Sequence, residues 1–268
     1  MSGLGSPDHP ITGSPDLDTA QSLVAYYLAL LRRWGSQHWW PAQSRFEVIV
    51  GAYLTQNTNW TNVEKAIASL RSAHALSLDA LRKLPLPKLE ALIRSSGYYR
   101  QKALKLKTFI RYLDKNYSGS LDRMFTQPTE KLRSELLALH GVGPETADSI
   151  LLYSGGHPVF VVDAYTRRIL ERHAIISPKT PYEEIRRVIE EAVQSTEPES
   201  LLKAERGDDP RHPQSRMSRA GRSELAQHYN ELHALIVRAG NQYCRSTPKC
   251  EGCPLRDYLP AQPQATAL

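Results

Sequence analysis

Long apolar runs are missing from this 268-residue chain, and no uninterrupted stretch approaches the ~20 residues that a membrane-spanning helix needs. Cysteine is scarce too. Its three residues crowd near the C-terminal end, which does not make a secreted disulfide framework. The N-terminus, with its Gly, Ser, Pro and Asp, has no basic-then-apolar leader pattern. These absences predict a soluble, intracellular (cytoplasmic) protein. Strand signals are nearly absent as well: Val159 to Val162 is the one convincing strand-like run, so the chain is expected to be all-α.

What is present fits a polyanionic partner. The formal charge is +6 and the sequence pI is near 9.2, a weak signal because many basic proteins bind no nucleic acid. The length allows two modest domains or one large one. Helical spacing is repeated along the chain. Val24, Tyr27, Leu28, Leu31 and Trp34 recur at three- and four-residue steps, with Gly35 as a stop. Similar patterns predict helices over 46–55, 63–70, 78–84, 89–93, 103–113, 182–193 and 223–243. Residues 1–15 read as a disordered tail. The Pro-, Gly- and charge-rich segment 196–222 reads as a mobile insertion, whose arginines 206, 211, 216, 219 and 222 either meet phosphates or are simply solvated.

The most informative stretch is Leu139-His-Gly-Val-Gly-Pro-Glu-Thr-Ala-Asp148. A short helix from Pro128 to Leu139 precedes it, and Pro144 opens a second helix where its missing N–H costs nothing. Gly141 and Gly143 permit positive φ and close backbone approach, and the second helix starts with its dipole facing outward, which suits a DNA phosphate. A tight turn between packed helices is the alternative. Asp163 follows twenty residues after Gly143, just before a helix at Ala164 to Arg172. In isolation it reads equally well as an N-cap.

With Asp163 at this spacing from the hairpin, residues 20 to 258 resemble the helix-hairpin-helix (HhH-GPD) DNA glycosylases of the endonuclease III superfamily. The resemblance implies two helical domains flanking a DNA-binding cleft. Residues 16–42 plus 155–243 would form a discontinuous helical domain, 43–154 a helical-barrel domain ending in the hairpin, and 244–268 a degenerate cluster loop and tail. It implies that Asp163 is catalytic, that His140, Gly141, Val142, Gly143, Glu145 and Thr146 meet DNA, and that the partner is damaged double-stranded DNA bound by a monomer.

Within the superfamily, Gln37-His-Trp-Trp-Pro41 and the run from Phe46 to Trp60 look like the 3-methyladenine DNA glycosylase III type. Trp39, Trp40, Pro41 and Trp60 would then form the base pocket, although tryptophans are often core residues. An enzyme that works on a base flips it out and holds it on aromatic faces. A cationic alkylated purine gains a further 0.5–2 kcal/mol, roughly, from a tryptophan face. The family's gap-filling glutamine matches Gln56. The run Ser95-Ser-Gly-Tyr-Tyr-Arg-Gln-Lys102-Ala103 matches a family loop, which makes Tyr98 a second intercalation candidate, with a packed loop tyrosine as its rival, and Lys102 a DNA contact.

Two departures matter. Where bifunctional relatives carry a Schiff-base lysine two residues after the last hairpin glycine, this chain has Glu145. That implies a monofunctional hydrolase without abasic-site lyase activity, in which Glu145 is a bystander at the helix start. The family's cluster loop uses four cysteines for a [4Fe–4S] cluster. Here Cys244, Cys250 and Cys253 remain with the first gap one residue short, and Leu259 stands fourth. No cofactor is therefore expected. In order of expectation the loop is a remnant with free thiols, a cluster with a substitute ligand, or a zinc site, for which His228 and His233 lie upstream on a helix. The function implied is excision of an alkylated purine in base excision repair. The alternatives are a glycosylase for oxidised or deaminated bases and a non-catalytic damage binder.

Overall fold

Serine or asparagine opens five of the described helices, and in each the side chain accepts an N–H of the first turn: Ser44, Asn59, Ser77, Ser120 and Ser223. The computed structural model describes residues 17–195 and 215–260, and these fold as two compact units. Of the described residues, 17–36, 162–195 and 232–260 belong to one unit, and 37–161 with 215–231 to the other. Among them every regular element is helical. The tail 1–15 and most of the 196–222 insertion lie outside the described residues, as do residues 261–268.

The first unit is built on α1 (Leu17–Trp34), α10 (Ala164–Arg172), α11 (Tyr182–Gln194) and residues 232–242 of α12 (Glu224–Gln242). Helix α1 buries Leu23, Tyr26, Tyr27, Leu30 and Leu31, a stripe at three- and four-residue steps, and packs on α11. The stripe is centred one residue away from Val24 and Leu28, which are only half-buried. Helix α11 answers with Ile185, Val188, Ile189, Ala192 and Val193. Each such side chain contributes about 1.5–3 kcal/mol by leaving water. Gly35, at φ +67°, ends α1 as its sequence position implies.

The second unit is organised around α2 (Arg45–Thr55), in which Phe46 to Leu54 are all buried. Around it pack α3 (Trp60–Ser72), α6 (Tyr99–Tyr117), α9 (Pro144–Ser149) and the π-helical turn Ile150–Gly155 that continues α9. Helices α4 (Leu78–Lys83), α5 (Leu86–Leu92), α7 (Leu121–Phe125) and α8 (Thr129–Leu137) complete it. Helix α7 has no counterpart in the sequence-based expectations, since five residues are too few to display a period.

Val159 to Val162 forms no strand. The four residues are buried but irregular, with no strand among the described residues. Val159 N–H bonds the His157 carbonyl and Val162 N–H bonds the Tyr182 hydroxyl, so these two donors are satisfied without a ladder. The end of the expected insertion is tied down. Ser215 Oγ donates to the Trp40 carbonyl at 2.9 Å, Met217 N–H donates to that of Ala42, and Arg222 bonds the Met217 carbonyl. No helix is long and apolar enough to cross a membrane among the described residues.

Candidate nucleic-acid interface and base site

The hairpin is shaped by its glycines in different ways. Gly141 has φ +78°, a conformation that demands glycine, and a Cβ there would also displace the flexible end of Lys105, whose Cε lies 2.2 Å away. Gly143 is extended, at φ −96° and ψ 176°, and a Cβ there would meet nothing within 4 Å. Its open side leaves the start of α9 accessible, with Pro144 in the first turn and the exposed Glu145 beside it. His140, Gly141 and Gly143 are exposed, whereas Val142 and Thr146 are buried and anchor the turn.

Behind the hairpin lies a three-residue brace. Gln56, the residue after α2, donates through Nε2 to the Gly141 carbonyl (3.1 Å) and to Thr146 Oγ1 (2.9 Å). Its Oε1 accepts from Lys105 Nζ at 2.6 Å. Lys105 was no candidate for this contact from sequence, because the pairing spans 49 residues. Lys102, the expected DNA contact, is corrected by its surroundings. It is 2% exposed, and Nζ donates to the Leu54 and Ser96 carbonyls at 2.9 and 2.6 Å. Burial, with Lys105 nearby, pulls its pKa down to about 8. An ammonium spent on two internal carbonyls holds the loop before α6 rather than a phosphate. Tyr98, at the tip of that loop, is 66% exposed with φ +45°, so it is not a packed loop tyrosine.

Trp39, Trp40 and Trp60 come together in the same unit. Ring centroids are 5.3 Å apart for Trp39 and Trp40, 5.7 Å for Trp39 and Trp60, and 5.2 Å for Trp40 and Trp60. Trp40 is buried, with Tyr153 at 5.0 Å and Gly51 beneath it, where a Cβ would stand 3.0 Å from its ring. The indole N–H of Trp60 donates to Glu64 Oε1 at 2.9 Å. Trp39 Nε1 is a buried donor with no acceptor. Trp39 and Trp60 are half-buried and Pro41 is exposed, so the group is partly core and partly surface. Tyr153 is the member that sequence reading missed, since it sits in an unbroken apolar stretch.

In the other unit, Asp163 caps α10. Its Oδ1 accepts from Thr166 N–H at 2.7 Å and from Thr166 Oγ1 at 2.9 Å. The N-cap role is thus real, yet it occupies one oxygen only. The second, Oδ2, lies 3.7 Å from His233 Nε2, and the Asp163 side chain stays 14% exposed. Burial lowers the proton affinity of His233, while the Asp163 charge acts the other way. His233 therefore faces the carboxylate.

The three cysteines line a hollow together with Ile169, Arg172, His173 and Leu259. Burial, and then the neighbouring Cys250 and Cys244 sulfurs, raise the Cys253 thiol, although a backbone hydrogen bond opposes them. Arg172 Nη1 donates to Cys244 Sγ (3.2 Å) and to the Arg245 carbonyl (2.7 Å), and Nη2 to the Ser246 carbonyl (2.9 Å), which latches the loop to α10. A [4Fe–4S] cluster is held by four cysteine thiolates, and a leucine in the fourth position does not supply the last of them. No group of three or more His, Cys, Asp or Glu suited to a metal ion occurs among the described residues. The residues present do not fit the cluster. Arg245 and Lys249 of the same loop are exposed.

Residues 50–195 match the model of the HhH-GPD superfamily base excision DNA repair proteins. An inferred DNA repair glycosylase of Methanocaldococcus jannaschii is 38% identical over 239 residues, covering 89% of this chain and 96% of that protein. Endonuclease III of Thermotoga maritima is 27% identical, over 80% and 81% of the two chains. Among solved structures, H. pylori 3-methyladenine DNA glycosylase (MagIII) bound to 1,N6-ethenoadenine is similar, with a TM-score of 0.65 and 29% identity over 84% of this chain and 98% of that one.

Proposed function

The chain belongs to the HhH-GPD superfamily of base excision DNA repair proteins, and from that premise we propose that it is a monofunctional DNA glycosylase. It acts as a monomer on damaged double-stranded DNA and hydrolyses the N-glycosidic bond of a flipped-out, alkylated purine. The observation that carries the substrate class is the group of three tryptophans. A flipped base needs flat apolar faces, and a cationic one favours indoles whose electron density is reinforced by a nearby carboxylate. Glu64, hydrogen-bonded to Trp60, is that carboxylate. The Trp39 N–H, buried without an acceptor, suits a ring nitrogen of a purine. The similarity to the 3-methyladenine enzyme of H. pylori supports the same reading.

Asp163 supplies the chemistry. As the C1′–N bond breaks, its electron pair leaves with the base, and a base that was cationic departs neutral without a general acid. Positive charge gathers on the sugar, where the free oxygen of Asp163 stabilises it and orients the water that adds to C1′; the water's proton passes to the carboxylate. Glu145 offers no amine, so the abasic site is left uncut. Hairpin residues His140, Gly141 and Gly143 grip the backbone, Gln56 braces them through Gly141 and Thr146, and Tyr98 enters the helix stack.

Lesion profiling on duplex DNA tests this. Release of N3-methyladenine from methylated duplex is the expected result. Release of only uracil or oxidised pyrimidines replaces the substrate class with an endonuclease III-like one, and tight binding with no base released makes the protein a damage binder.

A further inference from the structure

Asp163 has one oxygen immobilised and one available, and this asymmetry makes what stands beside the second oxygen important. Oδ1 is fixed by two hydrogen bonds from Thr166, a residue with no solvent exposure. Rotation about the Cβ–Cγ bond would break both, so Oδ2 is held in one direction. On the α12 side of the same unit, His233 directs Nε2 at that atom from 3.7 Å. It is almost fully buried.

Resting on the reading of Asp163 as the catalytic carboxylate, we infer that His233 is a positioning residue, whose neutral imidazole donates a hydrogen bond to Oδ2 and keeps it aimed at the reacting sugar. The separation is longer than a formed hydrogen bond, as is common in substrate-free sites, where such contacts tighten when the reacting complex forms. Neutrality follows from burial, which disfavours the imidazolium. It also suits the chemistry. A neutral N–H fixes the carboxylate, whereas a full positive charge at this distance would cancel the field that stabilises the developing sugar cation. Thr166 and His233 together leave one lone pair of Oδ2 for water.

The test separates orientation from packing. His233→Leu keeps a buried side chain of similar bulk and loses the donor; His233→Gln keeps an N–H at nearly the position of Nε2. On methylated duplex DNA under single-turnover conditions, His233→Leu is expected to slow excision about tenfold or more, the loss of one hydrogen bond to a charged group. Affinity for a duplex carrying a tetrahydrofuran abasic analogue stays unchanged, and His233→Gln restores most of the rate. A wild-type rate in His233→Leu, or equal slowing in both variants, overturns the inference. Asp163→Asn measured alongside keeps the two claims apart: if that variant is inactive and His233→Leu is not, only the role of His233 fails, and if Asp163→Asn turns over normally, the reading beneath it fails.

Discussion

Arg133 and Asp148 form a buried two-bond ion pair, Nε to Oδ1 at 2.6 Å and Nη2 to Oδ2 at 3.1 Å, which joins the helix entering the hairpin to the helix leaving it. Both side chains are nearly or wholly inaccessible. Breaking one half leaves an uncompensated buried charge, so Arg133→Met is expected to destabilise the fold by roughly 3–5 kcal/mol. A companion Arg133→Met, Asp148→Leu double variant should recover much of that loss. Urea denaturation of all three proteins reads the difference directly, and a single variant within about 1 kcal/mol of wild type would contradict the bridging role.

Asp163→Asn should stop excision, with a rate at least about 100-fold lower, the lower range for a positioned base. The fold should not suffer. Asparagine caps a helix as well as aspartate does, and its Oδ1 can keep the Thr166 bonds. DNA affinity should hold or rise, because a negative charge has been removed. Near-normal turnover in this variant would sink the mechanism.

Trp60→Ala removes one aromatic face and the anchor on Glu64. Stacking and cation–π losses of about 1–3 kcal/mol predict excision of a cationic base slowed some ten- to a hundredfold. Binding to undamaged duplex should change little. Equal losses in both measurements would demote Trp60 to a packing residue.

Borohydride trapping addresses the missing amine. Wild-type protein incubated with an abasic duplex and borohydride is expected to give no covalent adduct on a denaturing gel. Lys102 is engaged by two carbonyls and Lys105 by Gln56. A trapped adduct would show that an amine does lyase chemistry after all.

The pH dependence of stability follows from three histidines, His157 and His233 buried and His173 half-buried. His157, His173 and His233 all have their proton affinity lowered by burial. In the unfolded chain each takes up a proton near pH 6.5. Below that value the unfolded state binds protons that the folded state refuses, so stability is full above about pH 6.5 and falls as the pH drops toward 5. Thermal unfolding between pH 7.5 and 5.5 should show the decline, and His157→Gln should flatten it. A midpoint independent of pH across this window would refute the assignment.

Much of this molecule is written locally. Pro144 opening α9, Asp163 capping α10 and Gly35 ending α1 each follow from the conformation or hydrogen-bonding ability of one residue. The three tryptophans were legible because they fall close together in sequence and residue chemistry marks them. What stayed hidden depends on distance along the chain. Lys105 meets Gln56 across 49 residues, and His233 faces Asp163 across 70, pairings that no local pattern encodes. The Val159–Val162 run misled because burial on all sides favours the same β-branched residues whether or not a partner strand exists. Residues 150–155 follow α9 without a break in the helix, and nothing in their sequence marks the widened π-helical turn.

Gly51 sits in the middle of a buried helix, where glycine is costly, and the indole of Trp40 rests on the space a methyl group would fill. The face of the tryptophan cluster over Gly51 is therefore drawn by backbone and cannot be pared down by any substitution at this position. On the proposed reading of that cluster as the base pocket, room for a bulkier adduct has to come from Trp39, Pro41 or Trp60 instead.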